Sequence, residues 1–447
     1  MVFNSKIKWR TTLLVCFLSL TFLLSAQSPA NKMATPSAIE QYAYLYNYKK
    51  SSANCVLVGQ NLGHKNQILD FYDEYIVKIK GESGFTPALI GGDLGLEGAM
   101  DVDLLGDLFV NHIATGGMVT LSWQSIDPWT GTYYADDQSR DFKRLLNPAD
   151  TLHHKWISEL DDVAEVLQQF QERDITVLWR PFSDMNGDWF WWGADSLRAP
   201  ADFHQLWQFT YDYLTTTKQL NNLLWVFSIN QSKILTYDSN FWLRGDVYFP
   251  GENYVDIVGI TLFNDSLEIK DFRDFLDLKR FNKPMALTLC GPTPESADGT
   301  YDYMQFFDAL QQNFPEIVYA NVMNSYGDVK LALTDNLNYV DLLSQPCVVN
   351  SEEIDLTIKW KTDEGRVLED IEVFPVPAIN QFYVSNPTII DGPIDVVLTD
   401  ISGHVAFAKT YDHIYFLEID VTDVSGGFYF LKITTQASTF EQKVVFR

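Results

Sequence analysis

Eight apolar segments recur at roughly even intervals between residues 54 and 324, and most of the gaps between them carry a helical pattern. They are Asn54–Gly59, Pro87–Leu94, Gly117–Gln124, Ile175–Phe182, Leu223–Asn230, Tyr254–Phe263, Pro284–Gly291 and Val318–Asn324. Each is a near-continuous apolar run, the mark of a strand covered on both faces. The clearest gap is Lys155–Glu172, where Ile157, Leu160, Val163, Val166, Leu167 and Phe170 share one face of a 3.6-residue period. Strands alternating with helices predict a parallel sheet. Eight such units over about 300 residues predict a (β/α)8 TIM barrel across residues 38–347. No glycine-rich phosphate loop follows the first strand, which argues against an open dinucleotide-binding sheet.

The pattern changes after Cys347. Residues 348–371 are charged and polar and read as a linker. Residues 372–447 hold short alternating strands at Phe382–Ser385, Ile394–Leu398, His404–Lys409, Tyr415–Ile419, Phe428–Thr434 and Phe440–Phe446. Turns at Asp391-Gly392-Pro393, Ser402-Gly403 and Gly426-Gly427 separate them, predicting a small C-terminal antiparallel β-sandwich.

At the other end, Lys6, Lys8 and Arg10 precede the apolar run Leu13–Leu24 and the exit Ser25-Ala26-Gln27. That order predicts a secretory signal peptide over residues 1–26, and the run is short for a membrane span. A net charge of −27 argues against a nucleic-acid partner or an anionic membrane surface. Once the leader and Cys16 are removed, Cys55, Cys290 and Cys347 remain. Their spacing fits neither a zinc site nor a disulfide framework, although three thiols allow one bridge in an oxidising compartment. The seven histidines show no ligand spacing. No metal and no cofactor is expected, and the chain is expected to be a monomer.

The candidate site lies in Thr176–Gly193. A short apolar run ends in Arg180-Pro181, then come Asp184, Asn186, a Gly-Asp turn and the aromatics Trp189, Phe190, Trp191 and Trp192. Proline cannot continue a central strand, so the polar cluster falls at the strand's C-terminal end, where a barrel carries its chemistry. Indole faces stack on pyranose rings while carboxylates and amides bond hydroxyls, so the stretch predicts a sugar site. The alternative reading of a Trp-rich run is a buried aromatic cluster.

Two resemblances extend this. Val373-Phe374-Pro375-Val376-Pro377-Ala378, Leu398-Thr399-Asp400-Ile401-Ser402-Gly403 and Val424–Ile433 resemble the sorting domain of proteins exported by the type IX secretion system of Bacteroidetes-type bacteria. That implies the secretion machinery as a partner and a place outside the cell or on its outer surface. The barrel resembles glycoside hydrolase family 26, mostly endo-β-mannanases. The matching residues are Gly59-Gln60-Asn61, Pro87–Asp93, Val119–Trp123, the stretch Thr176–Gly193, Pro250–Gly259 and Lys283–Thr288.

The family is of the retaining type, which needs two carboxyl groups about 5–5.5 Å apart. The resemblance places its acid/base at Asp184, where an Asp stands for the family's Glu, and its nucleophile at Leu289, which has no lone pair to attack with. Ser183 and Gln124 stand where the family has His, Asp127 where it has Asn, and Thr261 and Phe263 where it has Asp and Tyr. Substrate contacts are expected from Trp123, Gln124, Arg180, Asn186, Trp189, Trp191, Trp192 and Phe263. The expectation is therefore a chain that engages β-mannan-type polysaccharide with hydrolysis lost or strongly reduced. The residues leave open an active hydrolase pairing Asp184 with Asp127, Asp265 or Glu295, and also an interaction protein whose cleft binds nothing.

Overall fold

A computed structural model describes residues 28–48, 55–133, 140–195, 197–231, 244–267, 273–356, 372–374, 381–400, 402–422, 424–435 and 439–446. The predicted signal peptide lies outside the described residues, as does most of the linker.

The eight predicted strands are present as β1 (Val56–His64), β2 (Leu89–Asp93), β3 (Met118–Ser122), β4 (Val177–Arg180), β5 (Leu223–Asn230), β6 (Ile257–Phe263), β7 (Met285–Gly291) and β8 (Ile317–Val322). They pair in parallel in sequence order, and β1 bonds both β2 and β8, which closes the barrel. Strand β1 runs on past the predicted Gly59. Its Gln60 is fully buried yet satisfied, donating to Val322 O at 3.3 Å and accepting from Leu333 N at 2.9 Å. A ninth strand, β9 (Val348–Val349), also pairs β1, so the barrel sheet reaches into the segment expected to be linker.

Inside, Leu57, Leu89, Met118, Leu178, Leu224 and Ile257 form an apolar layer near the N-terminal ends of their strands. Helix α1 (Pro36–Tyr48) plugs that floor with Ala38, Tyr42 and Leu45. It is tethered by Thr35 N to Asn221 O (2.8 Å) and by Thr176 Oγ1 to Ser37 Oγ (2.9 Å). Higher in the barrel, the Asn321 side chain fills the space above Gly59 and Gly91. A Cβ on Gly91 would lie 2.4 Å from Asn321 Nδ2, so only glycine fits there. Outside, helix α2 (Thr151–Glu172) is N-capped by Asp150, which accepts from Leu152 N at 2.9 Å. It buries Leu152, Trp156, Leu160, Val163, Val166, Leu167 and Phe170 as its period predicts, while Ile157 stays half-buried.

Asp256, fully buried before β6, accepts from Ala30 N at 2.6 Å and Trp225 N at 2.7 Å, fastening the start of the domain to β5. Burial pushes its carboxyl up to about 6, against those two N–H groups and Lys283. A folded pKa above the unfolded one gives stability that is complete below about pH 4 and lost as pH rises through 6. Asp256→Asn should flatten the stability-versus-pH curve in that window by on the order of 2–3 kcal/mol relative to the parent. Urea midpoints measured from pH 4 to 7 test this; parallel curves would refute it.

The C-terminal domain contains β10 (Glu372–Phe374), β11 (Gln381–Asp400), β12 (Val405–Asp420), β13 (Gly427–Thr434) and β14 (Thr439–Phe446), all antiparallel. The first four predicted short strands are fused pairwise into β11 and β12. Register shifts after Ser385 and Asp391 break that long ladder. Residues from both of its halves, Phe382 and Ile419 with Ile394 and Leu398, share one core with Leu431 and Val444.

Candidate functional site

Strand alternation decides which predicted residues reach the mouth of the barrel. On β3, Val119 and Leu121 belong to the outer core, and Trp123 follows them outward. Its ring stacks on Trp156 of α2 (5.6 Å) and on Trp179 (6.2 Å), leaving it 5% exposed. Ser122 is buried between them, and its hydroxyl donates to Asp93 Oδ2 at 2.5 Å.

The β4 loop is built on aromatic packing. Trp191 and Trp192 are 2% and 1% exposed and meet edge to face at 5.5 Å. Trp191 Nε1 donates to Ser125 O (3.3 Å) and Trp192 Nε1 to Ser183 O (2.9 Å), which pins the β3 and β4 loops together. Trp191 and Trp192 are therefore core side chains, while Trp123, though 5% exposed, lines a cavity beside Gln124. The two-residue period of β3 carried the signal for the burial of Trp123. Trp189 remains half-buried, its ring lying over Gly187, where a Cβ would come within 2.0 Å. Asn186 is likewise not open to a ligand: it is fully buried, its Nδ2 donates to Asn230 O and its Oδ1 accepts from Asn230 N, both at 2.8 Å. It clamps the β4 loop to the end of β5.

At the centre is a set of buried polar atoms. Asp184 holds a left-handed φ of 59°, rare for a residue with a side chain, and donates its N–H to Ser228 O at 2.9 Å. Its Oδ1, Thr261 Oγ1, Tyr319 OH and both Nε and Nη1 of Arg180 are sealed from solvent. Burial pushes the Asp184 carboxyl above the usual range, opposed chiefly by the Arg180 charge. Burial also pushes the Tyr319 phenol up, again against Arg180. Tyr319 was not among the predicted residues. Its alternation with Asn321 on β8, two polar groups on one face of a buried strand, is the signal that marks it.

Register shifts between Ile260 and Thr261 in the β6–β7 pairing set Thr261 against Leu289 and leave Thr288 as the extra residue. The Thr288 hydroxyl lies 2.5 Å from Ser228 Oγ. Leu289 and Phe263 are half-buried and belong to neither barrel core. The other acidic candidates are committed elsewhere or exposed. Asp127 is fully buried: its Oδ2 accepts from Arg140 Nη2 (2.7 Å) and Nε (3.1 Å), and its Oδ1 from Trp129 N (2.8 Å). Asp265 accepts from Thr293 N, Thr293 Oγ1 and Ser296 Oγ, each at 2.9 Å. Glu295 is exposed on the same loop.

Gln124 lies to the side, lining a cavity of about 190 Å³ with Lys65, Tyr133 and Glu159. Burial pushes the Glu159 carboxyl up, helped by Asp162 and opposed by the Ile126 N–H and Lys65. The structure thus places Asp184, Arg180, Thr261, Phe263 and Leu289 at the C-terminal ends of their strands, with Trp123 and Gln124 lining a cavity just after β3. Trp191, Trp192 and Asn186 are buried.

A family model described as Glycosyl hydrolase family 26 matches residues 30–352, and one described as Secretion system C-terminal sorting domain matches residues 372–447. A mannan endo-1,4-beta-mannosidase of Bacillus subtilis (strain 168) is 28% identical over 334 residues, covering 70% of this chain and 88% of the relative. The mannan endo-1,4-beta-mannosidase A and B of Caldalkalibacillus mannanilyticus is 29% identical over 383 residues, covering 80% and 70%. Among solved structures, the Bacillus subtilis mannanase man26 superposes with a TM-score of 0.63 at 26% identity, covering 75% of this chain and 97% of that one. The sorting domain marks the chain for secretion to the cell surface.

Proposed function

Since the chain belongs to glycosyl hydrolase family 26, we propose that it binds β-mannan-type polysaccharide, as a monomer, at the C-terminal face of the barrel, with hydrolysis lost or strongly reduced. The observation that carries this is the lack of a carboxyl at Leu289, in register with Thr261 of β6, and at Phe263, while the loop after β4 carries Asp184. Retention requires a second carboxylate about 5–5.5 Å away to attack the anomeric carbon. A leucine has no electron pair for that attack. Asp184, held towards its protonated form by burial, suits a hydrogen-bond donor to a glycosidic oxygen or hydroxyl, and Arg180 beside it donates to further hydroxyls. Half-exposed Trp189 supplies a stacking face. The mannan-type ligand is argued from the relatives' activity.

A hydrolase acting by inversion would need a base about 6.5–9.5 Å from Asp184. The candidates are occupied or exposed: Asp127 pairs with buried Arg140, Asp265 organises its own loop, and Glu295 is exposed.

Two assays on one preparation test the proposal. Reducing-sugar release from glucomannan, galactomannan, xylan and mixed-linkage glucan should stay at background, while affinity electrophoresis should show retardation on a mannan. Trp189→Ala should weaken that binding by about 3–10-fold, the loss of one stacking contact. Turnover by the parent that disappears in Asp184→Ala would sink the binding-only reading. Absence of retardation on every glycan would sink binding itself.

A further inference from the structure

The three cysteines left after the leader occupy different depths. Cys290 on β7 is fully buried, with Sγ 3.5 Å from Asn321 O, and burial pushes its thiol far up. Cys55 and Cys347 lie at the other end of the barrel, both partly accessible. Each immediately precedes one of two adjoining parallel strands. Val56 of β1 is in register with Val348 of β9, and Val56 N donates to Cys347 O at 3.0 Å. Neighbouring strands lie about 4.8 Å apart, within the Cα separation that a disulfide spans. The two Sγ atoms face each other at 2.6 Å although 292 residues separate them in the chain.

We propose that Cys55 and Cys347 are joined by a disulfide in the exported protein, tying the first barrel strand to the segment through which the chain leaves the barrel. Two S–H bonds break, one S–S bond forms, and two protons and two electrons leave. The electrons reduce the disulfide of an extracytoplasmic thiol oxidase to a dithiol. The sorting domain routes the chain through compartments where such oxidants act. The bond has a structural purpose: β9 contributes only two residues to the sheet, a short ladder with which to hold the end of a domain. In the folded, reduced chain, burial and the neighbouring Cys347 push the Cys55 thiol up to about 12. Thiolate is therefore scarce, and exchange at this pair is slow once the barrel has closed. Cys290 is excluded by its burial.

The test is peptide mapping of protein collected after export, denatured and alkylated without reductant. The expected result is a linked Cys55–Cys347 peptide pair, about 2 Da lighter than the two separate peptides, with the alkyl group only on Cys290. Alkylation of both Cys55 and Cys347, or a linked peptide containing Cys290, overturns the proposal. Thermal melts give a second readout. Reductant present through unfolding should lower the parent's Tm by several degrees and leave Cys347→Ser unchanged. Equal responses of the two proteins to reductant would refute the bridge.

Discussion

Asp127→Ala is expected to cost about 3–5 kcal/mol of folding stability, because it removes the carboxylate bonded to the Arg140 guanidinium, only 5% exposed, in the protein interior. The carboxylate does more than neutralise the charge. It also receives Trp129 N, and Arg140 in turn lies 5.6 Å from the centre of the Trp129 ring. Arg140→Met on the Asp127→Ala chain should recover a good part of the loss, since it removes the buried cation that Asp127 balances. Denaturant melts of the three proteins test this. A single-variant cost below about 1 kcal/mol would mean that Asp127 is not committed to Arg140. It would also return Asp127 to the list of available catalytic carboxylates.

The second large effect is expected at Asn186→Ala, about 2–4 kcal/mol, because the amide satisfies both the N–H and the C=O of Asn230 inside the barrel wall. Both main-chain groups, at a half-buried position, would lose these partners, and the loop carrying Asp184 would lose its clamp to β5. Amide exchange at Asn230 should accelerate along with the drop in urea midpoint. A stable variant with unchanged exchange would show that the bidentate contact contributes little.

These two residues also show what the sequence could and could not tell. A strand buried on both faces leaves a continuous apolar run, and β5 was therefore bounded correctly at Leu223 and Asn230. Where a barrel strand carries a satisfied polar group, as at Gln60, the apolar signal stops early and the strand does not. The family resemblance points to the polar residues around Asp184, while composition alone does not sort the indoles by burial. A tryptophan beside a strand end is equally compatible with cleft and core, and only the alternation of Val119, Leu121 and Trp123 separates the two. Asn186 looked like a ligand contact because its partner, a main-chain amide 44 residues away, leaves no trace in composition. The pairing of Asp127 with Arg140 is hidden for a similar reason: neither forms a recognisable spacing with the other.

The plug formed by α1 has a consequence for the order of folding. The helix precedes every barrel strand in the chain, yet its socket is lined by residues from Leu57 on β1 to Tyr319 on β8. No partial barrel offers Ala38, Tyr42 and Leu45 a complete seat, so their burial comes only after the last strand has joined. The domain is consequently of high contact order and closes late.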